Sequence, residues 1–99
     1  MQSHYAENFE RDMGCTEAQW LGWLPAALGA HAWQRNGACV QADIEAGSLR
    51  IDWQPAPPRR IALLRIPRLQ VTFTFQGLDD RQRHAFMKRF DLYMQRGGG

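Results

Sequence analysis

At 99 residues and a net charge of +2, the chain has room for one hydrophobic core and no second. Apolar residues make up 44% of it and aromatics 11%, ample for a packed interior and far from a disordered composition. No apolar run approaches the ~18 residues that a membrane span requires, so no membrane association is expected.

The first ten residues lack the basic and apolar stretches of a signal peptide. Cys15 and Cys39 form neither a CxxC nor a disulfide framework, so a reducing, cytoplasmic location is expected. Charge is split along the chain. Residues 1–49 carry two arginines against six acids, net −4; residues 50–99 carry nine arginines and Lys88 against four acids, net +6. Such asymmetry marks a surface for an anion or an acidic partner, or else a GC-rich genome's preference for arginine.

Residues 1–14 are polar and without a period, which predicts a mobile arm, although Tyr5 and Phe9, four apart, can dock a helical turn on the body. Thr16 and Gln19 have the spacing of a capping box, with Cys15 and Trp20 at the positions of a hydrophobic staple. Trp20, Leu21, Leu24 and Leu28 then follow at helical spacing up to Gly29. A helix over 17–28 is predicted, broken near Pro25 because proline removes an internal hydrogen bond.

Asn36-Gly37 predicts a hairpin pairing Trp33 with Val40 and His31 with Ala42, and the period of 2 puts His31, Trp33, Val40, Ala42 and Ile44 on one face. Leu49, Ile51 and Trp53 alternate with polar residues in the next strand. Pro55 to Pro58 form a stiff connection. Arg59 to Ile66, bracketed by prolines, predicts an edge or bent strand with Ala62, Leu64 and Ile66 on the face that water should wet. Leu69, Val71, Phe73 and Phe75 alternate cleanly. Asp79 or Asp80 caps a final helix whose Phe86, Met87, Phe90, Tyr93 and Met94 share a face, with Lys88 and Leu92 opposite. Gly97 to Gly99 read as a flexible tail.

The fold class expected is therefore α+β: a two-layer sandwich of helix, about five-stranded antiparallel sheet and helix, with both helices on one sheet face. Residues 15–96 make the single domain. The order of elements resembles that of frataxin-like and other helix–sheet–helix domains, a likeness of order alone that implies no activity.

Chemistry-bearing motifs are missing from the sequence. There is neither a GxGxxG nor a GxxxxGK[ST] loop, and two acids at the last helix start repel a phosphate. No two of Cys15, His31, Cys39 and His84 have ligand spacing, so no metal or other cofactor is expected. His84, one turn after Asp80, is placed for an i,i+4 pair with it. A small enzyme using His31 or His84 with a cysteine is the third-ranked reading, because thiolate chemistry needs a base beside the thiol.

The candidate surface is Arg59, Arg60, Leu64, Arg65, Arg68, Lys88 and Leu92. It leads to the first reading, a non-catalytic binding or accessory module working through protein contacts or self-association. The second is nucleic-acid or phosphate binding through the arginines. Edge arginines beside prolines also deter sheet-to-sheet aggregation without any partner.

Overall fold

The structure is a computed structural model describing residues 4–96. It is an α+β sandwich of two helices on a five-stranded antiparallel sheet, as expected, but not from the same five strands. In chain order they are β1 (Asn8–Met13), α1 (Glu17–Leu28), β2 (Trp33–Asn36), β3 (Cys39–Ile44), β4 (Gly47–Ile61), β5 (Leu64–Gln76) and α2 (Asp80–Arg96). The strands lie side by side in the order β1-β5-β4-β3-β2.

Two corrections account for the difference. The segment 1–14, expected to be a mobile arm, contains β1, which pairs with β5 from Asn8↔Thr74 to Met13↔Leu69. Its inward residues are two apart: Phe9 stacks on Phe73 at 4.9 Å between ring centroids, and Met13 packs on the core. Tyr5, just before it, is buried. The period-2 signal in β1 is hidden because Arg11 holds an inward position. Its guanidinium lies over the Phe9 and Phe73 rings and pairs with Asp91 of α2, to which the Tyr5 hydroxyl also donates at 2.7 Å. An arginine thus does the work of a core side chain.

The second correction concerns Arg59 to Ile66. The chain reverses at Ala62-Leu63, so these residues end β4 and begin β5 rather than forming a strand of their own. The flexible-tail expectation for Gly97 to Gly99 lies outside the described residues.

Helix α1 starts as its sequence demands: the Thr16 hydroxyl accepts from the Gln19 N–H at 3.1 Å, and Gln19 Oε1 accepts from the Thr16 N–H at 3.0 Å. It runs unbroken through Pro25, contrary to expectation. Proline deletes one hydrogen bond, whereas burial of Trp20 and Leu24 before it and Ala27 and Leu28 after it pins both halves to the core. The Trp53 Nε1–H donates to Glu17 at 2.8 Å, fixing α1 to β4. From α2, Phe86, Met87, Phe90 and Met94 are buried as expected. Trp20, Trp53, Phe73 and Phe90 meet at centroid distances of 5.5–6.1 Å between the layers.

The hairpin of β2 and β3 is slid by two residues from the expected register, with Trp33 opposite Ala42 and the turn at Gly37-Ala38. Gly37 has φ 64°, and no other residue of this turn has positive φ. That fits a type II′ turn, which asks positive φ of its first residue only. A slide of two preserves the faces. Val40, Ala42 and Ile44 are buried, but Trp33, expected in the core, is exposed because edge strand β2 lies beyond the helix layer.

Candidate functional site

The sheet has a covered and an open face. Odd-numbered side chains of β4 and β5 from Leu49 to Trp53 and from Leu69 to Phe75 are buried beneath the helices. The open face carries Glu10, Asp12, Gln41, Asp43, Arg50, Asp52 and Thr72, with Gln54, Gln70 and Glu10 joined in a chain of hydrogen bonds. It presents no aromatic platform on which bases stack.

Beyond the last β1 pair, Met13↔Leu69, β4 and β5 continue as a two-stranded ribbon and draw the molecule out to 47 × 29 × 22 Å. At its base, Pro57 and Pro58 of β4 sit where the pairing slips between Ala56 and Arg59. Lacking N–H groups, they are tolerated where a bulge releases the ladder. The pairs then run Arg59↔Ile66, Arg60↔Arg65 and Ile61↔Leu64.

Directly opposed residues share a face, so Arg59, Ile61, Leu64 and Ile66 lie together, with Arg60 and Arg65 on the reverse. Ile66 was expected alongside Ala62 and Leu64; the turn instead aligns it with Ile61 and Leu64. Leu63 at the tip is fully exposed, Leu64 is 65% exposed and Ile61 52%. Three large aliphatic side chains thus stand in water on adjacent positions. Among the described residues the N-terminal segment does not cover them: β1 follows β5 only as far as Met13↔Leu69, and Tyr5 donates to Asp91.

The arginines divide into two kinds. Arg68 donates to Asp12 at 2.8–3.1 Å and to the Pro57 carbonyl, and Arg59 reaches Asp12 at 3.9 Å. These two brace the ribbon base against β1. Arg60 and Arg65 form no ion pair among the described residues. Lys88 and Leu92, the other candidates, are exposed on α2, with no hydrogen bond or ion pair to the ribbon among the described residues. The structure brings together five of the seven candidates and leaves two apart.

The cysteine and histidine candidates are not assembled. Burial pushes the Cys15 thiol up. The Cys39 thiol is also raised, first by burial and then by its hydrogen bond to Asp52, the opposite of thiolate activation. The His31 Nδ1 lies 2.9 Å from the Leu28 carbonyl and its ring meets Phe86 edge-on. The His84 ring lies tilted against Tyr5 with 5.9 Å between centroids, while Asp80, its expected partner, is taken by His4. Among the described residues there is no cluster of three metal-ligating side chains and no helix long and apolar enough to cross a membrane. No protein-family model, curated protein or solved structure matches the chain.

Two residues of this site missed in the sequence are Ile61 and, at the tip, Leu63. The reversal that exposes it depends on Ala62 taking φ 53°, a conformation alanine seldom adopts, so no turn residue announces it.

Proposed function

We propose that this chain is a non-catalytic binding or accessory module of the cytoplasm that acts through protein contacts, with the end of the β4–β5 ribbon as its recognition element. The observation that carries this reading is the aliphatic cluster Ile61, Leu63 and Leu64, three large side chains left in solvent side by side, whereas the other exposed large apolar residues, Trp33 and Leu92, lie singly on β2 and α2. Exposing leucine costs about 1.5–3 kcal/mol relative to burial. A tip that contributes nothing to the core gains that energy only against something else.

Proline placement supports contact through side chains rather than through strand addition. Pro55, Pro57, Pro58 and Pro67 deprive the ribbon edges of amide donors, which disfavours strand addition and leaves the side chains as the contacting groups. Two unbridged thiols suit a reducing compartment.

A photo-reactive residue at position 63, with one at Gln41 on the open sheet face as control, tests the reading in intact cells. A discrete protein adduct from 63 and none from 41 supports it; the absence of any adduct from 63 sinks it. A second copy of the chain is one partner this experiment detects, and sedimentation velocity measures it directly, with Leu63→Asp expected to return the monomer.

The second reading is binding of nucleic acid or phosphate, favoured by Arg60 and Arg65. It requires affinity for mixed-sequence RNA or DNA that falls steeply with salt as counterions are released. No binding at low salt ends it.

A further inference from the structure

The docking reading rests on the ribbon's aliphatic residues and leaves its oddest feature unused. Arg60 and Arg65 stand directly opposite each other, one rung behind Ile61 and Leu64. Like charges in that position destabilise a strand pair. The same segment shows how such a cost is avoided, since Arg59 and Arg68 are both answered by Asp12. Among the described residues of the ribbon, only this rung is left with two guanidinium groups and no anion.

We infer that Arg60 and Arg65 form a clamp for a carboxylate of the protein partner, placed on the wall of the same slot that receives Ile61, Leu63 and Leu64. This rests on the docking reading and adds the partner's chemistry to it. Opposed Cβ atoms in a strand pair lie roughly 4.5–5.5 Å apart, so both guanidinium heads reach one anion, and each offers the fork geometry that suits a carboxylate. The clamp would turn a repulsive rung into a charge-assisted one on binding.

The arrangement of the two kinds of side chain selects a protein site over other anionic surfaces. The aliphatic stripe occupies one face of the ribbon and the arginine pair the reverse, so a matching site has an apolar wall on one side and an acidic wall on the other. Tip-first entry into a lipid surface would carry Arg60 and Arg65 to the phosphates, but it would also sink the open edges of a two-stranded ribbon, with their unpaired N–H and C=O groups, into hydrocarbon that cannot satisfy them. A nucleic-acid groove offers phosphates but few apolar surfaces for three aliphatic side chains, and the ribbon end Ile61-Ala62-Leu63-Leu64 has no polar side chain to read a base edge. Carboxylates on the open sheet face, Glu10 and Asp43 among them, also oppose a phosphate lattice lying along the molecule.

The test combines the photo-reactive residue at position 63 with R60E and R65E, and with Arg50→Gln on the open sheet face as control. All three arginines are exposed, so the folded protein is retained. Adduct yield should fall at least about tenfold in R60E and R65E and stay near wild type in Arg50→Gln. The cross-linked partner peptide should lie beside aspartate or glutamate. In the free protein, R60E should raise the melting temperature by about a degree or more, because the introduced carboxylate then attracts Arg65 across the rung.

An adduct that survives both charge reversals overturns the clamp and leaves the docking reading standing, whereas the absence of any adduct from position 63 in the otherwise wild-type chain removes both. Salt-sensitive binding of the wild type to phosphatidylglycerol-rich vesicles, whose only anion is phosphate, or to duplex DNA, abolished by R60E, identifies the anion as phosphate and overturns the carboxylate. A melting temperature lowered in R60E removes the repulsion from which the inference starts.

Discussion

Gly29 ends α1 at the one place where the Arg89 guanidinium crosses from α2, so closely that a Cβ on the glycine would fall inside the arginine head. Arg89 donates to the Ala26 and Ala27 carbonyls at 3.2–3.3 Å and lies 4.5 Å over the Tyr93 ring. A cation at a helix C-terminus answers both its unpaired carbonyls and its negative dipole end. The two helices are therefore joined by a cap as well as by packing.

This joint predicts that Gly29→Ala destabilises by about 1–3 kcal/mol, from the positive φ of 66° together with the overlap. Arg89→Ala alone should cost about 1 kcal/mol through the lost cap. Combined, they should cost less than their sum, because removing the arginine frees the space that the new methyl enters. Urea unfolding of the four proteins, followed by circular dichroism, gives the coupling; strict additivity would show that no shared space exists.

Asp91 binds Arg11 and Tyr5 at once, so Asp91→Ala should cost roughly 2–3 kcal/mol, toward the lower end for partly buried pairs because both side chains keep some solvent. Arg11→Met, which keeps the packing over Phe9 and Phe73 while removing the charge, should cost less. Thermal unfolding compares them, and equal losses would mean that the aromatic contacts contribute little.

The same cluster sets an alkaline limit. Burial, and then the hydrogen bond to Asp91, raise the Tyr5 hydroxyl above its ordinary value of about 10. The folded state thus holds this proton more tightly than the unfolded one. Its contribution is whole below about pH 10, where both states are protonated, and is lost as pH climbs through the raised folded value. Unfolding free energies measured from pH 8 to pH 11 should fall more steeply for the wild type than for Tyr5→Phe; parallel curves would place the alkaline loss elsewhere.

At the ribbon tip, Ala62→Gly should stabilise by about 0.5–1 kcal/mol, since glycine takes φ 53° without the strain that alanine bears there. Leu63→Asp should leave stability within about 0.5 kcal/mol, as expected for a side chain that touches nothing. A large loss in Leu63→Asp, read by denaturant midpoint, would mean that the tip packs on its own molecule.

Thr16→Ala should cost about 1 kcal/mol and Thr16→Ser much less, because only the hydroxyl of the capping box matters. Equal effects of the two substitutions on the denaturant midpoint would point to the threonine methyl instead.

Much of this molecule is written in local pattern. The capping box at Thr16, the alternation from Leu69 to Phe75 and the helical stripe of Phe86, Phe90 and Met94 are periodicities that their own segments enforce, because each has one apolar face to bury. The class and the two-layer arrangement follow from them. What tertiary structure alone decided is where non-local partners override a segment's own signal. Arg11 reads as a solvent residue until Asp91 and the Phe73 ring, far along the chain, make an inward arginine favourable. Pro25 reads as a break until the core holds both sides of it. The candidate site is the extreme case: the prolines and arginines announced an unusual segment, but the direction in which it projects depends on a turn at Ala62-Leu63 that no turn residue signals. An extended stretch and a hairpin bury the same local pattern equally poorly, so only the pairing of the whole β4 with the whole β5 could choose between them.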